Sequence, residues 1–269
     1  MILCVGDVVD DIGVRPLGRV NAVSDTESEI RMTAGGSAAN VAAWLAELGH
    51  PVRFVGRAGA DGVARHLAAM PGVDARIGAD PDLPTATIVL TLDDAADRTM
   101  YVDRAANSTL TTADLADVWD DVTWLHLTGY TFFDPATRPV AEAAIAEARR
   151  RGAGVSVDPS SLGFLRAAGR TEVLRWFADA DLLFPNEEEQ EFLDLDVERA
   201  VRTLGAAGAK LGGLKVAARD VDVLDTTGAG DAFCAGFLSV WVDSWDAAAA
   251  LDAGARAAAR CVVRRGARP

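Results

Sequence analysis

The chain has 269 residues, half of them hydrophobic and a quarter charged, the profile of a globular protein and not of a disordered segment. Its formal net charge of −14 at pH 7 argues against a nucleic-acid partner or an anionic membrane surface, while leaving room for phosphate ligands held by backbone N–H groups and a few arginines. No apolar run approaches the roughly 20 residues of a membrane span. The start, MILCVGDVVDD, lacks the basic region and cleavage site of a signal peptide. Cys4, Cys234 and Cys261 each lie among apolar neighbours and read as buried reduced thiols, so a cytoplasmic protein is expected.

In chain order, ILCVG (2–6) is a short apolar run of the kind that forms a buried strand. Residues 12–34 mix glycine, proline and polar residues around short alternating pieces and read as edge sheet. SAANVAAWLAELG, from Ser37, places Val41, Trp44, Leu45 and Leu48 on one helical face and stops at Gly49. PVRFVG follows as a strand and DGVARHLAAM as a helix. TATIVLTL (85–92) and RTMYV (98–102) alternate around a polar DDAAD turn, which predicts a hairpin. The second half alternates strand and helix: VTWLHLTG (122–129), a helix from Pro135 to Arg151, GVSVD (154–158), helical segments up to Ala178, DLLFP (181–185), then NEEEQEFL. VERAVRTLGAAGA (197–209) reads as one helix. LKVAA and VDVLD read as short strands, and two alanine-rich helices fill 229–243 and 246–262. This alternation predicts an α/β chain with a mainly parallel sheet covered on both faces.

Three stretches carry chemistry. In DTTGAGDAF (225–233) a glycine-rich turn opens a helix, where orphan N–H groups and the helix dipole favour an anion. Asp231 lies in the first turn of that helix. It reads either as an acid stabilising the helix start or as a general base beside an anion cradle. The absence of GxxxxGK[ST] excludes a P-loop. In GGSAAN (35–40) two glycines precede a second helix start, with Asn40 in its first turn. In NEEE (186–189) Asn186 is a good N-cap with Glu189 at the third position, a capping box, or a place where Mg²⁺ with several waters is held by one carboxylate and an amide. His50, His66 and His126 are scattered without ligand spacing and predict no zinc site.

Together, GGSAANVAAWLAELG, NEEE and DTTGAGDAFCAGF resemble, in this order, the signatures of the ribokinase/PfkB family of carbohydrate kinases. The resemblance implies a three-layer α/β/α core, at 1–11, 35–84 and 107–269, with a small β-sheet lid at 12–34 and 85–106 over the substrate. It implies ATP-dependent phosphorylation of a hydroxyl. Asp231 matches the family's catalytic base, and the backbone of Gly228, Ala229 and Gly230 its anion hole. Asp11, Gly35, Gly36 and Asn40 match substrate contacts, and Asn186 and Glu189 match the NxxE element that organises Mg²⁺ and phosphate. A monovalent cation such as K⁺ near the anion hole is common in the family. A homodimer through the open edges of the lid also fits.

The resemblance leaves the acceptor open between a ribokinase- or fructokinase-like sugar and a nucleoside. Arg104 aligns with an arginine that 2-keto-3-deoxygluconate kinases place near a carboxylate, or is a surface arginine. DPSSL (158–162), where those kinases carry DxNxR, argues against a sugar acid. Trp44, Tyr130, Phe132 and Phe133 read as walls of a ligand site or as core. Only residues 190–224 separate Glu189 from Asp225, fewer than family members usually have, which raises a silent sugar-binding protein as the rival from another class.

Overall fold

The computed structural model describes residues 1–21, 23–92 and 98–269. The elements run β1 (Ile2–Val5), β2 (Val9–Pro16), β3 (Ser28–Gly35), α1 (Ser37–Glu47), β4 (Val52–Gly59), α2 (Val63–Ala68), β5 (Asp74–Asp80), β6 (Ala86–Leu92) and β7 (Arg98–Asp103). They continue with β8 (Trp124–Thr128), α3 (Tyr130–Phe133), α4 (Arg138–Arg151), β9 (Gly154–Asp158), α5 (Leu162–Ala168), α6 (Arg170–Trp176), β10 (Leu182–Leu183) and α7 (Glu187–Leu193). After β11 (Arg202–Thr203), β12 (Ala209–Leu211) and β13 (Leu214–Val216), the long helices α8 (Ala229–Ser244) and α9 (Ala247–Val262) close the chain.

Six parallel strands form the central sheet in the order β10-β9-β8-β1-β4-β5. The period of two along β1 shows how it is buried: Ile2 and Cys4 join the core that contains α1, α8 and α9, whereas Leu3 and Val5 join the core that contains α4. A strand covered on both faces has no polar side to present, which is why ILCV is apolar throughout. Cys4, Cys234 and Cys261 are buried free thiols.

A second sheet has the order β3-β2-β6-β7, with β2–β6 parallel and its other pairs antiparallel. The β6–β7 hairpin forms as its alternation predicts, while its DDAAD turn lies outside the described residues. Register places Val9 opposite Ala86, Asp11 opposite Ile88, and Ile88 opposite Val102, so these residues share one face.

Two sequence expectations fail between Asp196 and Asp225. Residues 197–209 do not form one helix but β11, a 3-10 turn and β12, which build a three-stranded antiparallel sheet with β13. Gly205 (φ 53°) and Gly208 (φ 96°) break the helical path, and a Cβ on Gly208 would lie 1.9 Å from the Val216 carbonyl oxygen. Val201, with helical spacing in sequence, is buried because this small sheet packs against the core. VDVLD is not a strand either; Val223 and Leu224 are exposed, and the N–H groups of Leu224 and Asp225 donate to the Val262 carbonyl.

Candidate active site

The entry to α8 is set by a carboxylate three residues before its capping glycine. Asp225 Oδ1 accepts from the Thr227 N–H (2.9 Å) and hydroxyl (2.7 Å), and Oδ2 accepts from the Gly266 N–H (3.1 Å). Gly228 caps the helix at φ 76°, where a Cβ would lie 2.6 Å from Ala267 Cα, so only glycine fits. The Ala229 N–H donates to the Thr226 carbonyl at 3.2 Å. The N–H groups of Gly230 and Asp231 have no acceptor among the described residues, and a Cβ on Gly230 would meet no atom within 4 Å. Those two donors at the positive end of a 16-residue helix are open to an anion.

The entry to α1 meets it. Gly36, at φ 95°, passes so close to Asp7 that a Cβ would lie 2.4 Å from its carbonyl oxygen. The Asp7 carboxylate accepts from the N–H groups of Ser37 (2.8 Å) and Ala38 (3.1 Å), capping α1 from the end of β1. The side chains of this first turn then reach the other helix: Ser37 Oγ donates to Asp231 Oδ1 at 2.7 Å, and Asn40 Nδ2 donates to Asp231 Oδ2 at 2.8 Å. Asp11 stands over Gly35, where a Cβ would lie 2.0 Å from its Oδ2. Arg268 Nε donates to Asn40 Oδ1 (3.1 Å), and its Nη2 donates to the Gly35 carbonyl (2.6 Å).

Crowded acids shape the electrostatics. Burial pushes Asp231 up to about 6, against the hydrogen bonds of Asn40 and Ser37 that favour its ionised form. Burial, then the charges of Asp7 and Asp231, push Asp11 up to about 7, with Arg268 opposing. Asp158 is raised well above its ordinary value by burial and by the neighbouring Glu189 and Asp231. Burial also raises Glu189, against the Asn186 N–H. Burial lowers Arg268 to about 10, against Asp11, Asp7 and Asp231.

Asn186 and Glu189 form the reciprocal capping box of α7, at 2.9 and 3.0 Å. They also line one cavity of about 270 Å³ with Asp158, Gly228, Ala229, Gly230 and Asp231, so NEEE and DTTGAGD converge on one space. Arg104 lies apart, on an adjoining cavity of about 330 Å³ with Asp7, Val9, Ile88, Val102 and Phe164; Tyr130 lines both. Arg104 Nη2 donates to the Tyr130 carbonyl (2.7 Å), and its guanidinium lies 5.7 Å from that ring's centroid. Trp44 and Phe132 are fully buried core, so of the four aromatics singled out in the sequence Tyr130 is the one that lines these cavities. His126 pairs with the Ser156 hydroxyl and His66 with Asp10, both inside the core.

Sequence reasoning missed Asp7 and Arg268. Asp7 follows an apolar strand as Gly-Asp, the one available signal; Arg268, in RRGARP, carries none.

The chain matches the pfkB family carbohydrate kinase profile over residues 1–269. It is 31% identical to an ATP-dependent ribose-1-phosphate kinase of Halopiger xanaduensis, over 91% of this chain and 86% of that protein. It is 33% identical to a fructokinase of Klebsiella pneumoniae, over 82% of this chain and 80% of that one. Among solved structures, the fructokinase of Vibrio cholerae O395 bound to fructose, ADP and a calcium ion superposes with a TM-score of 0.83 at 26% identity, covering 99% of this chain and 94% of that one.

Proposed function

The chain belongs to the pfkB family of carbohydrate kinases, and on that premise we propose that it transfers the γ-phosphoryl group of ATP to a hydroxyl of a small sugar, with Asp231 as general base. As a member of that family it is an ATP-dependent kinase of a sugar or a nucleoside. The observation that carries the proposal is the Asp231 carboxylate, held from two sides by Ser37 and Asn40, beside two N–H groups open to an anion.

In this reading Asp11, Gly35, Gly36 and Asn40 hold the acceptor's hydroxyls and present one of them to Asp231. Asp231 takes the proton as that oxygen attacks in line, while the 228–231 backbone stabilises charge on the transferring group. Asn186 and Glu189 organise the phosphates. Asp158, Glu189 and Asp231 line one cavity and all have raised carboxyls, but no three acids, histidines or cysteines among the described residues are grouped closely enough to ligate an ion together, which fits an ion held largely through water. Glu189 is the residue that would hold Mg²⁺, through water, and the ion would offset phosphate charge. A monovalent cation such as K⁺ would sit near the anion hole and use backbone oxygens.

We take 12–34 and 85–106 as a lid over a core of 1–11, 35–84 and 107–269. Its support is the second cavity, walled by Val9, Ile88 and Val102 from the second sheet and by Asp7, Tyr130 and Phe164 from the core side. Exposed Ile30, Met32 and Tyr101 on that sheet support a homodimer through it. A cytoplasmic enzyme fits the reduced thiols, and no helix among the described residues is long and apolar enough to cross a membrane.

One observation favours a nucleoside acceptor. The second cavity is walled mainly by apolar and aromatic side chains, with Phe164 and Tyr130 rings 6.2 Å apart, a surface for a flat heterocycle more than for a polyol. The deciding experiment is ADP release from ATP-Mg²⁺ across ribose, fructose, hexoses, fructose phosphates, sugar acids and nucleosides, with Asp231→Asn in parallel. One acceptor that stimulates only the unmutated protein supports the kinase assignment and names the class. Saturable sugar binding with no ADP from any acceptor favours the silent binding protein.

A further inference from the structure

Arg268 is the only basic side chain that bonds to Asn40 or to Gly35 among the described residues, and nothing in the kinase reading above uses it. Its segment is pinned on two sides. The Ala267 carbonyl accepts from Trp44 Nε1 at 2.8 Å, and Ala267 itself fills the space that Gly228 leaves open. From there the guanidinium reaches α1, at Asn40 Oδ1 and the Gly35 carbonyl.

An asparagine amide has one accepting and one donating end. Arg268, a donor only, takes the oxygen of Asn40, and this leaves the NH₂ facing Asp231 Oδ2 at 2.8 Å. The Gly35 carbonyl that Arg268 also holds belongs to the residue on which Asp11 closes. No carboxylate lies within ion-pair distance of the guanidinium among the described residues, and its buried Nη1 has no hydrogen-bond partner there. The guanidinium is held instead by an amide and a glycine carbonyl of the reacting site.

We propose that Arg268 is a positioning residue for phosphoryl transfer: through Asn40 it fixes the amide that orients the Asp231 carboxylate, and through Gly35 it fixes the turn beneath Asp11. The proposal rests on the base role of Asp231 and deepens it. The titratable and charged groups facing Asp231 are Asp7, Asp11, Asp158, Tyr130, Cys234, Cys261 and Arg268. Arg268 is the cation in that set, so its removal has a defined sign: the Asp231 proton is held more tightly.

The test separates positioning from tethering. The Asp231 carboxyl is titrated by ¹³C NMR in the free full-length protein, unmutated and as Arg268→Met and Arg268→Lys. The Met variant is expected to raise the midpoint by about one pH unit, tenfold in proton affinity, and Lys by less. In an Asn40→Ala background the Met substitution is expected to lose the part of that shift carried by the amide and to keep only the direct effect of the lost charge. ADP release with D-fructose and with adenosine is followed in parallel from pH 5 to 9. Its acid limb moves up in the Met variant while KM for ATP stays. A fall in melting temperature with an unchanged Asp231 midpoint would mean that Arg268 only tethers its segment, and it overturns the proposal; so does a full-sized shift in the Asn40→Ala background. If neither acceptor yields ADP in the unmutated protein, that counts against the kinase reading for these acceptors, and the carboxyl titration still decides on Arg268. If the Met variant does not fold, Arg268→Leu, which also removes both the donor and the charge, takes its place with the same expected shift and the same refutation.

Discussion

Ser37 Oγ donates a 2.7 Å hydrogen bond to Asp231 Oδ1, joining the first turns of two helices that lie 194 residues apart in the chain. With Asn40 on the other oxygen, the carboxylate is held in a fixed plane at the mouth of α8. Replacing it by the isosteric amide keeps the size and one hydrogen-bonding oxygen but removes the proton acceptor. Asp231→Asn is therefore expected to fold and bind ATP, yet to lose a factor of about 10²–10⁴ in kcat, the usual worth of a general base. Steady-state ADP release checks this, and turnover within a few-fold of the unmutated enzyme would remove Asp231 from the role.

The burial of Asp231 makes its proposed role as base pH-sensitive. With the carboxyl pushed up to about 6 in the free protein, kcat/KM for the acceptor is expected to fall about tenfold per pH unit below 6 and to level off above it. An acid limb near 4, the range of an unperturbed carboxyl, would contradict this.

Asp11 gives a stability effect of defined sign. Its carboxyl is pushed up to about 7 in the folded chain from an unfolded value of 3.8, so the native state binds that proton more tightly. Its contribution to stability is thus most favourable at acid pH and declines as pH rises from about 4 to about 7. Asp11→Asn mimics the protonated form and is expected to raise the melting temperature at pH 8, with the gain vanishing towards pH 4. Thermal denaturation at both pH values checks it, and an equal gain at both would show that the effect is not the titration of Asp11.

Two glycines separate stability from function. Gly36→Ala puts a Cβ 2.4 Å from the Asp7 carbonyl oxygen at φ 95° and is expected to destabilise the fold. Gly230→Ala meets nothing within 4 Å and replaces a helical glycine, so it is expected to stabilise by up to about 1 kcal/mol. It also places a methyl group at the open N–H pair, so kcat/KM for ATP is expected to drop even as the melting temperature holds or rises. A Gly230→Ala enzyme with unchanged kcat/KM would show that the phosphates do not approach this turn.

Much of this was legible because local signals agreed with the tertiary outcome. The alternation in TATIVLTL and RTMYV, the Gly49 stop of α1 and the Asn186–Glu189 box are local, and each forms as read. Residues 197–209 misled because Val197, Ala200, Val201 and Leu204 have helical spacing, while the decisive constraint at Gly208 is the Val216 carbonyl of a neighbouring strand. Asp7 and Arg268 were invisible as site residues for a related reason: their roles exist only through α1, which both reach from distant parts of the chain. Of the Asp231–Ser37–Asn40 cluster, Asp231 and Asn40 could be named from the sequence, but not Ser37, and not that the three bond to one another.

The acceptor class turns on Phe164. Its ring stacks on Phe133 with centroids 5.3 Å apart, meets Tyr130 edge-on and lines the second cavity while remaining 38% exposed. A polyol held at Asp11 and Asn40 has no use for that ring, whereas a ribosyl group carrying a heterocycle would lay the heterocycle against it, gaining about 0.5–1.5 kcal/mol from aromatic contact. Phe164→Ala is therefore expected to raise KM for a nucleoside acceptor about 2- to 10-fold. KM for free fructose or ribose, and kcat with every acceptor, are expected to stay unchanged, since Asp231 is untouched. Equal changes in KM for sugars and nucleosides would instead mean that Phe164 only shapes the wall, and the nucleoside reading would lose its support.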